Sequence, residues 1–355
     1  MKNIHPIANG TVEPECVASL VAGRHGDVFS VLGVHANPLG KGLVIRAFLP
    51  GASAVEVIAR HNGRKVTTLE QIHVDGLFEK TLGNRKNQFD YFLRVDYDGH
   101  QVDIEDVYRF PSCLSENDLY LFGEGTQERS FQWMGAHPRC IEGVDGVLFV
   151  VWAPAAQRVA VVGDFNYWDG RGHVMRLHPA SGIWELFIPG LPEGSNYKYE
   201  IIDAQGEVLA LKSDPYARSM QHPPQTASTV HRDNGYQWGD AEWMARRRES
   251  DSYRKPVSIY EVHLGSWRRR WEEDGRYLSY RELADELIPY VVDMGFTHLQ
   301  LMPISEYPFD GSWGYQPIGM YAPSIRFGTP AEFKYFADRC HQAGIGLMLD
   351  WVPGH

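Results

Sequence analysis

Two polar residues, Asp350 and His355, stand at and just beyond the end of an apolar run, Ile345–Trp351, that reads as a β-strand. A carboxylate and an imidazole delivered to the C-terminal end of a strand can orient and hydrogen-bond a substrate, because in barrels of alternating strands and helices that end is where chemistry is done. Either residue also has a plainer reading. Asp350 could satisfy buried backbone, and His355 is the last residue of the sequence.

The elements that must position them begin near Pro256. Val257–Trp267 opens as a β-branched and aromatic strand and ends in a glycine turn. Ser279 followed by Glu282 forms a capping box, with Leu283, Leu287, Ile288 and Val291 on one helical face and Gly295 just past the end. Pro289 inside that pattern predicts a kink or a restart. Thr297–Pro303 reads as a second strand, followed by a loop of about 25 residues, a length that usually signals function. Thr329 and Glu332 then make a second capping box, with Pro330 at the first helical position. The third strand, Ile345–Trp351, is apolar enough to be buried on both faces. Strand, helix, strand, helix, strand predicts a parallel sheet, either doubly wound or a barrel. No G-x-G-x-x-G or P-loop follows any of these strands, so nucleotide binding has no support.

The front half is different in kind. After a short helical pattern (Val17, Leu20, Val21) closed by Gly23, the chain turns to strands and turns. Leu43–Ala59 is nearly copied by Leu148–Gly163, Pro50 falling on Pro154 at a shift of 104. Gly76-Leu-Phe-Glu79 matches Gly182-Ile-Trp-Glu185 and Tyr91 matches Tyr197, both at 106, and Asp106-Val-Tyr108 matches Asp214-Pro-Tyr216 at 108. Four matches in one order predict two tandem all-β sandwiches of about a hundred residues each. The second copy alone carries GDFNYWDGRGHVMR, Gly163–Arg176, with the rings of Phe165 and Trp168 beside a tight turn. Packing on the sandwich is the favoured reading of those rings, and a platform for sugar the other. The charged stretch 239–255, including Arg246-Arg247-Arg248, marks a linker or boundary with a solvated face.

Bulk properties set the frame. A chain of 355 residues predicts two or three domains. A net charge of −11 argues against a nucleic-acid partner. The four cysteines form no C-x-x-C pair, so neither a disulfide framework nor a zinc site is expected. The N-terminus has no apolar signal core, and no run of 18 apolar residues occurs, so no membrane partner and a cytoplasmic, monomeric protein are expected.

At these residues the sequence resembles the α-amylase-type (β/α)8 family, and within it the bacterial 1,4-α-glucan branching enzymes. Tyr260–Arg269, Leu301–Pro330 and His341–His355 carry the likeness. GDFNYWDG resembles the family's carbohydrate-binding module, and the preceding copy its extra N-terminal module. Val107 and Val174 stand where the family commonly has proline, a difference of turn rigidity only. The resemblance implies two sandwiches (1–115 and 116–240), a linker (241–255) and the first three βα units of an incomplete (β/α)8 barrel (256–355). It implies that Tyr315 stacks on the sugar whose bond breaks, that His355 bonds that sugar's hydroxyls, and that Asp350 orients a partner arginine. Trp168 is a possible glucan contact. The implied reaction is retaining transfer by two carboxyls about 5–5.5 Å apart, resolved by a glucan 6-hydroxyl instead of water. The family's nucleophile, acid/base and assisting carboxylates have no counterpart here, and Glu306 and Asp310 match no catalytic motif. The expectation is therefore a branching transferase by family, needing no cofactor or metal, with α-1,4-glucan or glycogen as partner and a chain inactive on its own. A non-catalytic glucan-binding protein and a debranching or trehalose-releasing hydrolase are the alternatives.

Overall fold

The computed structural model describes residues 10–233, 235–250 and 254–354. Backbone contacts divide the chain into two compact units at Lys212/Ser213.

The first unit opens with helix α1 (Pro14–Val21), which buries Val17 and Leu20. Strands β1 (Gly33–Ala36), β2 (Leu43–Phe48), β3 (Ala54–Ala59), β4 (Lys65–His73), β5 (Leu77–Leu82), β6 (Tyr91–Tyr97) and β7 (His100–Ile104) follow, hydrogen-bonded in the order β1-β2-β5-β4-β3-β6-β7. Strand β4 is shared: Lys65–Leu69 pairs with β3, and Glu70–His73, after a register shift, pairs with β5. A long strand that changes partners in this way turns a sheet's corner. Helix α2 (Glu116–Glu124), capped by the Ser115 hydroxyl, leads to the second set. This comprises β8 (Gly135–Ile141), β9 (Val144–Trp152), β10 (Arg158–Gly163), β11 (Arg176–His178), β12 (Ile183–Pro189) and β13 (Asn196–Ile202).

The duplication read from sequence reappears as pairing. Strand β1 lies on β2 as β8 lies on β9, β2 on β5 as β9 on β12, and β3 on β6 as β10 on β13. Bridges at Val208 and Lys212 place residues 208–212 against β13 as β7 lies against β6. Equivalent side chains also do equivalent work. The Tyr108 backbone N–H donates to the Asp106 carboxylate at 2.9 Å, and that of Tyr216 donates to Asp214 at 2.8 Å. Glu79 and its counterpart Glu185 are each buried against an arginine, Arg46 on β2 and Arg176 on β11, which are not counterparts of each other.

The two sandwiches share a core. Val17, Leu20, Val28, Leu32, Phe48 and Leu77 pack in one cluster with Ala160 and Val174 of the second copy. The Tyr108 hydroxyl donates to the Gly172 carbonyl at 3.0 Å and accepts from the Val174 N–H at 3.2 Å. Arg176 donates to the Phe110 carbonyl at 3.0 Å and lies 4.0 Å over the Phe29 ring. The sandwiches are therefore one packed body.

The second unit begins with 213–233, where β14 (Ser228–Thr229) bridges Met220. Residues 213–240, assigned from sequence to the second sandwich, group with this unit because Ala217 and Met220 pack on Ala322, Lys334 pairs with Asp233 at 2.8 Å, and Tyr236 donates to Asp338 at 2.9 Å. The stretch read as a linker is mostly helix α3 (Ala241–Glu249), with its three arginines exposed. Then come β15 (Ile259–Val262), the helical turn α4 (Leu264–Trp267) and a small hairpin of β16 (Arg269–Arg270) and β17 (Arg276–Tyr277). Helix α5 (Tyr280–Asp293), β18 (His298–Leu301), β19 (Ser305–Glu306), β20 (Gly319–Pro323), α6 (Pro330–Gln342) and β21 (Gly346–Leu349) complete the described chain.

Both capping boxes are made: the Ser279 and Thr329 hydroxyls accept from the N–H groups of Glu282 and Glu332, whose carboxylates reach back. Strands β15, β18 and β21 pair in parallel and in sequential order, with α5 and α6 burying Leu283, Leu287, Val291, Phe336 and Cys340 against them. Three expectations are corrected. Helix α5 runs through Pro289 without restarting, the missing donor falling in the closing turns and being offset by the buried face at Leu287, Ile288 and Val291. The long loop after β18 is not irregular, since β19 and β20 pair antiparallel within it. Strand β21 is not buried on both faces: it pairs only with β18, and Met348 and Leu349 are 40% and 51% exposed.

Candidate functional site

The C-terminal ends of three parallel strands converge on one set of side chains in the second unit. After β15 comes His263, after β18 the loop 302–329, and after β21 Asp350. The Asp350 N–H donates to the Leu301 carbonyl at 2.9 Å, which fixes where its side chain starts. Its carboxylate accepts a hydrogen bond from the Tyr315 hydroxyl at 2.9 Å. That bond, more than burial, raises the Tyr315 hydroxyl above its ordinary pKa and keeps it a donor. Tyr315 and Asp350, singled out from sequence, are thus brought together, and both are half-buried. His355 lies outside the described residues.

The loop holding Tyr315 is fixed at its other side by an aromatic stack. Trp313, in left-handed backbone (φ 55°), lays its ring on that of His263, centroids 5.3 Å apart and 20° from parallel. His263 Nδ1 lies 3.0 Å from the Ser266 hydroxyl. Burial, then the charges of Arg269 and Arg326, hold its pKa below the ordinary value, so the imidazole is neutral near pH 7.

Beneath the loop sits Arg326. Its guanidinium donates to Glu306 at 2.6 Å, to the Tyr307 carbonyl at 2.8 Å and to Asp310 at 2.5 and 2.8 Å, and it lies 3.9 Å over the Tyr307 ring. Burial raises the Glu306 carboxyl, against the Ile325 N–H and Arg326. At Asp310 burial is outweighed by Arg326, and the carboxyl is lowered. Both carboxylates are occupied in holding the loop.

Beside Asp350 a groove of about 490 Å³ runs along β20 and α6, with Trp238, Tyr321, Phe333 and Trp351 in its walls. Tyr321 stands between Tyr216 (5.4 Å) and Trp351 (6.5 Å, stacked). Among the described residues no group of histidine, cysteine and carboxylate side chains could hold a metal ion. No described helix is long and apolar enough to cross a membrane.

In the first unit Trp168 is half-buried, its indole N–H donating to Asp164 at 3.0 Å. Phe165 packs edge-on against His173. The exposed ring of that motif is Tyr167, 93% accessible. His263, Trp313, Arg326 and Tyr167 were not picked out from sequence. Trp313 had a signal in lying two residues before Tyr315, and Tyr167 in sitting beside Trp168. The roles of His263 and Arg326 depend on partners 50 and 20 residues away.

Comparison with known proteins agrees with this layout. Residues 13–108 match the family model described as alpha-1,4-glucan branching enzyme GlgB, N-terminal domain, and residues 133–217 match carbohydrate-binding module 48 (isoamylase N-terminal domain). The chain is thus a modular protein whose second sandwich is a carbohydrate-binding module. It is 53% identical over 97% of its length to a 1,4-alpha-glucan branching enzyme GlgB of Saccharophagus degradans, covering 47% of that protein. It is 54% identical over 95% to one of Roseobacter denitrificans and 52% over 95% to one of Shewanella baltica, covering 46% and 45% of them. Over nearly its whole length it is thus similar to 1,4-alpha-glucan branching enzyme GlgB proteins, and it spans about half the length of these curated relatives. A solved putative alpha amylase from Salmonella typhimurium is 26% identical with a TM-score of 0.47, over 62% of this chain and 33% of its own.

Proposed function

We propose that the chain is the glucan-binding part of a 1,4-α-glucan branching transferase, acting in the cytoplasm as a monomer on α-1,4-glucan or glycogen. The carrying observation is the 53% identity over 97% of the chain to a branching enzyme. In this reading the two sandwiches end at Lys212, with the boundary between them near 115, and 256–355 is the opening arc of a (β/α)8 barrel. The sequential parallel order of β15, β18 and β21, with α5 and α6 between them, is that of consecutive βα units, as the opening of a barrel requires.

Tyr315 offers a ring for the sugar at the bond to be broken, and Asp350 holds that ring by its hydroxyl. His355 would add hydrogen bonds to the same sugar. The transfer itself needs a carboxylate that attacks the anomeric carbon and a second that protonates the departing oxygen. A glucan 6-hydroxyl then displaces the enzyme and forms the α-1,6 branch. One observation favours a purely binding role for these 355 residues taken alone: the carboxylates lining the site are engaged, Asp350 by Tyr315 and both Glu306 and Asp310 by Arg326.

The 355-residue chain is expected to be retarded by glycogen in affinity gels while leaving the iodine colour of amylose unchanged. Loss of colour with new α-1,6 linkages would place transfer carboxylates within these residues and overturn the binding-only reading. Absence of retardation by any α-glucan would overturn the glucan reading itself.

A further inference from the structure

A cleft of about 970 Å³ lies where the two sandwiches of the first unit meet, and neither module forms it alone. The first sandwich contributes Phe48–Pro50 at the end of β2 and the β6–β7 hairpin with Tyr97, His100 and Asp103. The second contributes Asp145 and the turn from Phe165 to His173, including Tyr167. Its volume is at the upper end of the about 300–1,000 Å³ usual for ligand clefts.

Three features describe what would fit. First, the walls pair exposed rings, Tyr97 and Tyr167, with hydrogen-bonding groups, His100 and Asp145. Flat apolar faces beside acceptors suit a neutral polyhydroxylated ring, whose carbon–hydrogen face stacks while its hydroxyls bond at the edge. Second, no lysine or arginine lines the cleft whereas several carboxylates do, which excludes a phosphorylated or otherwise anionic ligand. Third, the floor is fixed. Tyr108 bonds Gly172 and Val174 across the junction, Asp106 accepts from the Tyr91 hydroxyl at 2.5 Å, and the shared apolar core lies behind. A cleft rigid before binding spends little on ordering itself.

Tyr167 is held for exposure. Tyr167 and Trp168 both adopt left-handed backbone, φ 54° and 62°, a conformation that costs a non-glycine residue and recurs at binding sites. Trp168 is tied back to Asp164, so the strain turns the tyrosine ring outward and not the tryptophan. The fold holds this turn in place from behind, where Asn166 accepts from the Gly163 N–H and donates to the Val161 carbonyl, each at 2.9 Å.

We propose that this two-module cleft is a binding site for a segment of α-1,4-glucan, with Tyr167 and Tyr97 as its stacking faces. The proposal rests on the glucan reading above and assigns that binding to a place formed jointly by the two sandwiches. The test is titration of the intact 355-residue chain with maltoheptaose by calorimetry, together with glycogen affinity gels. Tyr167→Ala and Tyr97→Ala are each expected to weaken maltoheptaose binding about tenfold, as truncating a central aromatic does. Trp271→Ala, an exposed ring in the other unit, should leave it unchanged. If Tyr167→Ala weakens binding and Tyr97→Ala does not, the site belongs to the second module alone and the proposal fails. If Trp168→Ala or Tyr315→Ala abolishes binding while both cleft variants bind normally, the glucan reading stands and the cleft is overturned. If the unaltered chain binds no maltoheptaose, both fall together.

Discussion

Replacing Arg326 by methionine is expected to cost the Ser213–His355 unit about 3–5 kcal/mol, the usual penalty for stranding one partner of a buried ion pair. Both side chains of the Arg326–Glu306 pair are 1% exposed, so no water takes the arginine's place. Glu306 would keep only the Ile325 and Tyr307 N–H groups and the Ser324 hydroxyl, at 2.6, 3.1 and 3.1 Å. The sign of the pH dependence follows from its raised carboxyl. A group that binds its proton more tightly when folded adds stability below its unfolded pKa and loses that share as pH rises through the folded one. Without Arg326 the carboxyl rises further, so the variant should regain stability toward about pH 5 and lose it toward about pH 8. Urea melts at the two pH values measure this. Adding Glu306→Gln should recover part of the loss, because the stranded charge is then gone. An Arg326→Met protein within about 1 kcal/mol of the parent at both pH values would show that the pair does not hold the loop. The same knot underlies Tyr315, so loosening it should also weaken any binding that depends on that ring.

How much of this was legible beforehand divides by range. Ser279 with Glu282, and Thr329 with Glu332, declare helix starts within four residues, and both were readable because the partners are local. The duplication was readable because the same folding constraints were written twice, about 106 residues apart, at Gly76, Glu79, Tyr91 and Asp106. Asp350 and Tyr315 could be nominated as a pair of positions, but the hydrogen bond joining them spans 35 residues and comes only from the parallel register of β18 and β21. Arg326 looked like any charged residue in a loop. Nothing in its neighbours announces that Glu306 and Asp310 will converge on it. The junction of the sandwiches was hidden for the same reason, since Tyr108 and Gly172 are 64 residues apart. Pro289 shows the opposite case: a local rule allowed the helix to restart there, and the buried face of α5 carries it through as one helix.

Gly76→Ala and Gly182→Ala should each destabilise the first unit by about 2–4 kcal/mol, combining left-handed strain with a backbone clash. The two glycines are counterparts. Each closes the turn that leads into the strand pairing with β2 or β9, and each carbonyl accepts from the chain after those strands, Leu49 N–H at 2.7 Å and Ala153 N–H at 3.0 Å. Their φ angles are 97° and 71°. A Cβ at Gly76 would stand 2.5 Å from the Leu49 carbonyl oxygen and 2.7 Å from Pro50 Cα, and one at Gly182 would stand 2.6 and 2.8 Å from Pro154. Backbone and a proline ring cannot swing aside. Gly63 and Gly206 are the controls, with positive φ and open space around them, and alanine there should cost only about 1 kcal/mol. The repeat thus predicts a matched pair of effects, and the shared core predicts their form. Since Phe48 and Leu77 pack in one cluster with Ala160 and Val174, either substitution should lower one common transition of the first unit. Two separate transitions, each shifted only by the glycine in its own sandwich, would show that the modules fold independently. A cleft built between them would then lose the rigid floor on which its binding depends.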